Sequence, residues 1–393
     1  MYGKPREKTP LKLEDIPRID PEKINVPLMR KVRTYLNKIG VGYPDPASED
    51  ESELMYFASL FDNDEQAEHY IAMKHDDWQT VESFCDETGE NSETVLFDWE
   101  TLVRRGVLYR EPDPADPSVN RYRPLAFAHG LMEHGYMGYT GGATKHFRLP
   151  LIAAAQKSGR YARQYMMPDA TFMRVAPVSP DIVKKGELLD ADNPLKLLRQ
   201  HGRFAVGKCV CRGSNPAPCS HTDECCIATD ELADLYIEMK FGRECTYEEL
   251  EQLLLDSVGN GSFVQMFSSK KAEVFCVCCG CPGGCAEIKF ARAFPNGEAF
   301  PTYSNYYVYI EDIDSCIGCG TCESGCPMGN VIVKDGKTTI GNNACAGCSI
   351  CANICPNGVL KMALKDNPYE CEDDMWEMFK MEERTREGRV IGF

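Results

Sequence analysis

The sequence predicts an α+β protein made of three successive parts: a helical N-terminal part, a cysteine-rich centre of mixed helices and strands, and a small C-terminal domain. Three patterns predict this order, namely amphipathic helical periodicity at the start, short apolar runs alternating with capped helices in the centre, and one cysteine spacing that occurs twice at the end. The predicted boundaries are an N-terminal extension 1–50, a helical domain 51–130, a cysteine-rich domain 131–304, a repeat-bearing domain 305–365 and a charged tail 366–393.

The extension is predicted to contain one amphipathic helix, Leu28–Ile39. The helical domain is predicted to contain three helices and then two short strands: Glu65–His75, Val81–Thr88, Glu93–Arg105, Val107–Arg110 and Arg121–Pro124. The third helix has a face that should be buried, formed by Val95, Leu96, Trp99, Leu102 and Val103. Three helices followed by a two-stranded wing resemble a winged helix, so we call residues 51–130 the winged-helix-like domain.

The charge of this domain argues against the DNA binding that a winged helix often performs. Residues 51–130 contain 18 acidic and 6 basic residues. The third helix carries Glu93, Asp98 and Glu100 on its polar side, where a recognition helix needs cations that meet phosphates. The formal net charge of the chain, −17, likewise excludes nucleic acid and anionic membrane surfaces as partners. We expect a scaffold or docking role instead.

The centre contains eleven cysteines, most of them in two groups. The first group starts with Cys209-Val-Cys211-Arg212, and the second is Cys276-Val-Cys278-Cys279-Gly280-Cys281. A Cys-x-Cys pair places two thiolates on one side of an extended segment. Thiolates in this number favour an iron–sulfur cluster, with zinc as the alternative, over hard cations. The predicted ligands of this central metal centre are Cys209, Cys211, Cys219, Cys226, Cys276, Cys278 and Cys279.

Some neighbouring residues have simpler interpretations. Arg212 stands beside the first group, where its charge would offset that of a cluster. Cys85, Cys245 and Cys371 stand alone and are predicted to be small buried hydrophobic residues. His221 lies among cysteines; we prefer a solvated loop position for it, and a ligand role is the alternative.

The repeat of the C-terminal domain is the most specific motif of the chain. Its two copies are Cys316-x2-Cys319-x2-Cys322-x3-Cys326-Pro327 and Cys345-x2-Cys348-x2-Cys351-x3-Cys355-Pro356. This spacing binds a cubane [4Fe–4S] cluster, and two copies predict a C-terminal two-cluster ferredoxin domain. Two structural zinc sites are the alternative, but zinc motifs rarely use three such steps followed by Cys-Pro. Strands are predicted at Tyr307–Ile313, Val331–Val333, Thr338–Ile340 and Val359–Met362.

The fourth cysteine of each copy is expected to reach the other cluster, because it precedes proline on the short helix that follows the first three. One cluster is therefore assigned to Cys316, Cys319, Cys322 and Cys355. The other is assigned to Cys345, Cys348, Cys351 and Cys326. The predicted cofactors are thus two [4Fe–4S] clusters and one or more further clusters, or zinc, in the centre.

The segments outside the motifs limit where the protein acts. Met1–Asp20 is polar and interrupted by prolines, unlike a signal peptide, and no apolar stretch is long enough to span a bilayer. With 21 cysteines and no export signal, we expect reduced metal ligands in a cytoplasm rather than disulfides. An anaerobic setting fits such a protein.

The whole arrangement resembles a family of multi-domain 4Fe–4S ferredoxin-type proteins from anaerobes. The resemblance rests on Cys209–Arg212, Cys219 with Cys226, Cys276–Cys279 and Cys316–Cys355, and it covers roughly residues 50–365. It implies an oxidoreductase or electron-transfer role and no particular substrate. Cys278-Cys279-Gly280 also resembles the paired-cysteine motif of heterodisulfide reductase catalytic subunits, but only one copy is present and that family's long spacing is absent.

The predicted function is therefore electron transfer, as a protein or as a subunit of an anaerobic oxidoreductase complex. Two ferredoxin clusters would pass single electrons between a redox partner and the central metal centre. Two alternatives stay open: an enzyme whose central cluster itself reduces a substrate, and a redox-sensing interaction protein. An acidic surface suits a redox partner with a basic face.

Overall fold

The structure, a computed structural model, describes residues 21–40, 51–137, 166–167, 170–178, 180–214, 221–281, 284–292, 303–341 and 344–387. The chain forms two compact units, which are unit 1 (residues 1–158, 235–242 and 386–393) and unit 2 (159–234 and 243–385). Helices are combined with mostly antiparallel strands, which confirms the predicted α+β class. The domain boundaries given above remain predictions. No helix of the described part is both long and apolar enough to cross a membrane.

Unit 1 combines helices with a small sheet. Its elements are α1 (Val26–Leu36), α2 (Glu51–Ala58), α3 (Asp64–Ala72), β1 (Gln79–Thr80), α4 (Val81–Thr88), α5 (Ser92–Arg104), β2 (Leu108–Pro112), β3 (Asn120–Pro124) and α6 (Met132–Met137). The strands pair antiparallel in the order β1-β3-β2. The order of α3, α4, α5 and the β2–β3 hairpin agrees with the predicted elements, and the winged-helix assignment itself remains a prediction.

Side-chain caps determine where the helices of unit 1 begin. Asn63 accepts a hydrogen bond from the backbone N–H of Gln66 at 2.9 Å, and Asn91 accepts one from that of Thr94 at 3.1 Å. Thr80 and Ser83 form a reciprocal capping box at the start of α4. Such caps satisfy N–H groups that have no partner inside the helix. Because these cap residues can be recognised in the sequence, the predicted starts of the helices agree closely with the observed ones.

Helix α5 differs from its prediction at two positions. Val95, Trp99 and Leu102 are buried as expected, but Leu96 is 46% exposed. Leu96 lies about 100° around the helix from Val95, at the edge of the apolar face. Asp98, expected on the polar side, is buried instead. Its carboxylate accepts hydrogen bonds from Gln66 Nε2 at 3.1 Å and lies 2.8 Å from His69 Nδ1.

The cysteine-rich part follows in a series of short elements. They are β4 (Met166–Met167), β5 (Ala170–Thr171), β6 (Met173–Ala176), β7 (Val183–Lys185), α7 (Pro194–Leu198), β8 (Phe204–Lys208), α8 (Val210–Ser214), β9 (Glu224–Thr229), α9 (Asp230–Glu238), β10 (Gly242–Glu244), α10 (Tyr247–Gly259), β11 (Ser262–Phe267), β12 (Val274–Cys279) and α11 (Ala286–Ala291). A six-stranded sheet has the strand order β10-β8-β9-β12-β11-β6. Its pairs from β8 to β6 are antiparallel, which brings the two cysteine-bearing strands β9 and β12 side by side.

The C-terminal part begins with a strand and ends with a helix. Its elements are β13 (Tyr306–Ile310), α12 (Thr321–Gly325), β14 (Val331–Lys334), β15 (Lys337–Ile340), α13 (Ile350–Asn353), β16 (Leu360–Leu364) and α14 (Met375–Glu387). Strands β14 and β15 form a hairpin whose turn residues Asp335 and Gly336 both have positive φ, the geometry that matches the twist of paired strands.

The cysteine-rich and C-terminal parts share one sheet and one core within unit 2. Strand β16 pairs antiparallel with β13 and parallel with β7, which precedes it by almost 180 residues. A single apolar cluster contains Val206 and Phe275 of the six-stranded sheet together with Leu360 and Met362 of β16. The two parts are therefore packed together as closely as the layers of one domain.

The predicted charged tail is built into unit 2 up to residue 385. The tail contains the helix α14. Phe379 packs edge-on against Phe267, and the backbone N–H of Met375 donates to Glu273 at 2.9 Å. A bridge also pairs Glu372 with Ser269. The start of the tail therefore stabilises the connection between β11 and β12 of the six-stranded sheet.

Candidate metal centres

The eight cysteines of the repeat lie around two cavities. The first cavity is lined by one set of four: Cys316, Cys319, Cys322 and Cys355. The second is lined by the other set: Cys326, Cys345, Cys348 and Cys351. The two cavities enclose about 350 and 320 Å³ of empty space, counting space that is open to solvent. The structure thus brings together the two crossed sets that the motif predicts, and their role as cluster ligands is taken up below as a proposal.

Two glycines allow the chain to turn closely around each cavity. Gly318 and Gly347 occupy the same place in the two copies, before the second cysteine, and have φ values of 67° and 64°. A Cβ atom on Gly318 would lie 2.4 Å from the carbonyl oxygen of Gly336, and one on Gly347 would lie 2.1 Å from Ser304 Oγ. No side chain fits at either position without displacing its neighbour.

Backbone N–H groups point at several of these sulfurs. Cys326 Sγ accepts from the N–H of Asn330 at 3.2 Å, Cys316 Sγ from that of Thr338 at 3.3 Å, and Cys345 Sγ from that of Gly347 at 3.4 Å. Hydrogen bonds to sulfur stabilise negative charge there and help to set the potential of a bound cluster.

The two cavities differ in their exposure to solvent. Cys319 of the first set is exposed, and hydrogen bonds from the side chain and backbone of Thr321 lower the pKa of its thiol. Cys348 of the second set is buried, and burial raises the pKa of its thiol. Lys365 lies near the second cavity, where burial lowers the pKa of its ammonium group to about 8 against the opposing effect of Cys345. The second cavity is therefore the less solvated of the two.

Five central thiols form a connected group, which we call the five-thiol group: Cys209, Cys211, Cys225, Cys278 and Cys285. They come from the end of β8, from α8, β9 and β12, and from the residue before α11. Hydrogen bonds join Cys209 to Cys211 and Cys225, and join Cys285 to Cys211 and Cys278. Five segments of the fold thus converge on one place.

The charge state of this group depends on what neutralises it. The pKa of Cys209 is raised well above its usual value, mainly by hydrogen bonding with Cys211 and Cys225 and to a smaller extent by burial. Burial, followed by the hydrogen bonds with Cys211 and Cys278, does the same for the pKa of Cys285. Buried like charges so close together cannot all form without a compensating cation. A metal supplies that charge and displaces the protons when it binds.

Arg212 provides one positive charge inside the group. Its side chain is buried, donates to Cys225 Sγ at 3.2 Å and to the carbonyl oxygen of Val277 at 2.8 Å. Burial lowers the pKa of this guanidinium. The nearby cysteines, first of all Cys225 and Cys209, raise the pKa by more than burial lowers it, so Arg212 stays charged. Arg212 therefore lies where the sequence placed it, against the thiols.

Four further central thiols lie in two smaller sets. Cys226 and Cys276 are cross-strand partners in β9 and β12, with sulfurs 3.9 Å apart. Cys279 and Cys281 have sulfurs 2.9 Å apart, and together with His221 they form a set whose ligand atoms all lie within 4.8 Å of one another. His221 lies outside the helices and strands and is half-buried, so the loop position and the ligand role both stay predictions.

The seven predicted central ligands are thus distributed over three places. Cys209, Cys211 and Cys278 lie in the five-thiol group, Cys226 and Cys276 form the cross-strand pair, and Cys279 lies with Cys281 and His221. Cys219 lies outside the described residues.

Sequence reasoning left out three cysteines that the structure brings into these places: Cys225, Cys281 and Cys285. Their proximity to the Cys-x-Cys segments was the available signal. The isolated Cys245 and Cys371 are buried and Cys85 is half-buried. No disulfide joins any of the described cysteines.

Comparison with known proteins identifies the C-terminal part. Residues 315–360 match the family model of the 4Fe-4S dicluster domain. No curated protein and no solved structure matches the chain significantly. The match supports a 4Fe–4S ferredoxin-type protein with an iron–sulfur electron-transfer role. The match covers the repeat and does not extend to the rest of the chain.

Proposed function

We propose that the protein passes single electrons through two [4Fe–4S] clusters to or from a third, central metal centre. One cluster is assigned to Cys316, Cys319, Cys322 and Cys355, and the other to Cys345, Cys348, Cys351 and Cys326. The observation that carries the proposal is the crossed lining of the two cavities by four cysteines each. A cubane needs four thiolates, and the protein sets its potential through hydrogen bonds, burial and nearby charge.

The central metal centre is proposed at the five-thiol group, with an iron–sulfur cluster as the preferred occupant and zinc as the alternative. Three of the predicted ligands lie there, and Cys225 and Cys285 join them. The group provides more soft donors than one metal centre requires. Cys226 and Cys276 are candidates for a further site on the neighbouring strands, and Cys219 stays a predicted ligand.

A direct structural connection between the second cavity and the centre supports electron transfer between them. Pro327 follows Cys326, and its carbonyl oxygen accepts a hydrogen bond from Arg292 Nε at 2.6 Å. Gly280, within the second cysteine group, packs so closely on the Pro327 ring that a Cβ there would lie 2.6 Å from Pro327 Cβ. The second cluster is therefore proposed as the one that exchanges electrons with the centre.

The first cavity is proposed as the place where an external redox partner docks. Cys319 is exposed there, and the side chain of Ile317 beside it is 69% exposed. The surrounding acidic side chains Asp312, Asp314 and Glu323 are exposed as well. An apolar contact inside an acidic rim suits a partner with a basic face, whose approach electrostatic attraction accelerates. We further propose a cytoplasmic location, based on the reduced cysteines.

The proposal is tested by counting iron and acid-labile sulfide in anaerobically purified protein. Three cubanes predict about twelve irons per chain. Cys348→Ser and Cys278→Ser should each lower the count by about four, the content of one cubane. Cys245→Ser is the matched control, since Cys245 is buried and isolated from the thiol sets, and it should leave the count unchanged.

A count of eight irons with bound zinc would leave electron transfer intact and exclude the central cluster. A count below that of two cubanes would refute the proposal itself.

A further inference from the structure

We propose that His221, Cys279 and Cys281 bind a single zinc ion at a site separate from the iron–sulfur clusters. The three ligand atoms lie within 4.8 Å of one another. Two thiolates and one imidazole are donor types that zinc prefers in proteins; they fill three of its four tetrahedral positions, and a water or a further protein donor completes the set. The site stands in unit 2, where β12 ends and the chain turns towards α11.

The spacing of the two sulfurs lies between that of a disulfide and that of two thiolates on one ion, and it is too short for two irons of a cubane. Cys279 Sγ and Cys281 Sγ are 2.9 Å apart, which is longer than the S–S bond of about 2.05 Å in a disulfide. Two thiolates on one zinc ion with bonds of about 2.3 Å lie roughly 3.8 Å apart at the tetrahedral angle. A shift of less than about 1 Å therefore opens the pair to admit the ion. In a cubane each thiolate binds a different iron, which requires a wider spread.

The histidine is oriented as a metal ligand requires. His221 Nε2 lies 3.2 Å from the carbonyl oxygen of Asn260, at the end of α10. A carbonyl oxygen accepts only, so Nε2 is the donor of this hydrogen bond, and in the neutral ring Nδ1 is then the nitrogen that can bind a metal. Metal-binding histidines commonly donate their second ring N–H to a backbone carbonyl in this way, which fixes both tautomer and ring orientation.

The chain also encloses the sulfurs closely. Cys279 is only 1% exposed, while Cys281 and His221 are half-buried. A Cβ on Gly284 would lie 2.9 Å from Cys279 Sγ and 2.2 Å from the carbonyl oxygen of Cys279. Glycine at this position lets the backbone approach the sulfur, as it does around the two cavities of the repeat. The N–H of Gly284 donates to the carbonyl oxygen of Cys281 at 2.8 Å, which closes the turn.

The position of the site indicates what the ion does. Gly280 lies between the two cysteine ligands and packs against Pro327 beside the second cavity. Zinc has no redox chemistry of its own. It would keep both thiolates reduced and unavailable for disulfide formation, and it would hold this segment against the loop that carries Cys326. The site is thus a structural support between the five-thiol group and the second cavity.

The test measures zinc and iron separately by mass spectrometry in anaerobically purified full-length protein. Wild type should contain about one zinc per chain, as a single structural site requires. His221→Ala and Cys281→Ser should each lose at least nine-tenths of that zinc and keep their iron. His201→Gln is the matched control, because His201 Nε2 also lies near a backbone carbonyl oxygen, that of Lys271 at 2.8 Å, outside this set. It should keep the zinc.

A rescue variant and a spectroscopic probe guard against loss of folding. His221→Cys replaces one zinc ligand with another, so it should retain the zinc that His221→Ala loses. Cobalt(II) added in place of zinc should give a thiolate-to-cobalt charge-transfer band that weakens in Cys281→Ser. The proposal is wrong if the variants keep their zinc, if Cys281→Ser loses the iron of a whole cluster, or if the native chain contains a Cys279–Cys281 disulfide. Normal iron in the repeat alongside any of these results leaves the electron-transfer proposal standing.

Discussion

Replacing Gly347 by alanine should destabilise the second cavity far more than the same change at Gly320 destabilises the first. Both glycines lie between the cysteines of their copies, and both have positive φ, 64° and 76°. Their surroundings differ. A Cβ on Gly347 would meet Ser304 Oγ at 2.1 Å and the carbonyl oxygen of Tyr306 at 2.6 Å, whereas one on Gly320 would meet nothing within 4 Å.

The magnitude follows from what would have to move. The left-handed backbone alone costs alanine about 1–2 kcal/mol at either position. Ser304 cannot turn away freely, because it donates to the carbonyl oxygen of Val175 at 2.9 Å and accepts from the N–H of Tyr306 at 3.2 Å. Losing such a bond costs about 1 kcal/mol, and forcing extra volume into a packed site adds about 1–3 kcal/mol. Gly347→Ala should therefore cost about 3–6 kcal/mol, summed from these terms.

The second copy of the motif supports the smaller cost at Gly320. The equivalent residue there is Ser349, which adopts a φ of 56°. Gly320→Ala should thus cost only about 1–2 kcal/mol. Anaerobic urea unfolding measures both losses, and the electron paramagnetic resonance of the reduced protein measures the clusters that remain. Equal losses at the two positions, with both clusters retained in Gly347→Ala, would refute the packing argument.

Two further predictions concern buried charges. Arg174→Met should lower the free energy of unfolding in urea by about 3–5 kcal/mol, because it leaves the buried Asp192 without its ion partner at 3.1 Å. Lys196→Ala removes an exposed ion pair and should lower it by at most about 1 kcal/mol. Equal losses would contradict this prediction. Below its pKa, Lys365 is positively charged and stabilises the reduced, more negative form of the proposed second cluster. The potential of that cluster should therefore fall as the pH rises through the pKa of Lys365. This pKa is about 8, or higher once the negative charge of the cluster is present. Lys365→Met should lower that potential by an amount on the order of tens of millivolts, because it removes a unit positive charge from a buried position near Cys345. It should also remove the pH dependence in spectroelectrochemical titrations, and an unchanged potential would contradict the prediction.

The repeat could be predicted from the sequence because its contacts are local. Three cysteines separated by two residues surround one corner of a cubane wherever the backbone can turn, and the glycines supply that turn. The same holds for the helices of unit 1, whose caps are two or three residues from the groups that they satisfy. The error at Leu96 has a physical reason, since periodicity gives the centre of a buried face but not its edge.

The central sets depend on contacts that no spacing encodes. Cys226 meets Cys276 through the register of β9 and β12, fifty residues apart. Cys285 reaches Cys211 only because the chain returns after β12 to the end of β8. A one-residue change in register would move a cysteine to the opposite face of the sheet. The sequence therefore supports the prediction that these cysteines bind metal, but it does not indicate which of them lie together.

The shared core of unit 2 fixes the spacing between the repeat and the central thiols. Cys322 and Cys351, one from each copy of the motif, lie in the same apolar cluster as Val206 and Phe275 of the six-stranded sheet. Packed interiors deform little, because moving one side chain opens a cavity or creates an overlap. The distances between the repeat and the central thiols are therefore held by the core rather than by a linker. The proposed electron transfer between the repeat and a central metal centre would depend on such fixed spacing, and the pairing of β16 with β7 helps to provide it.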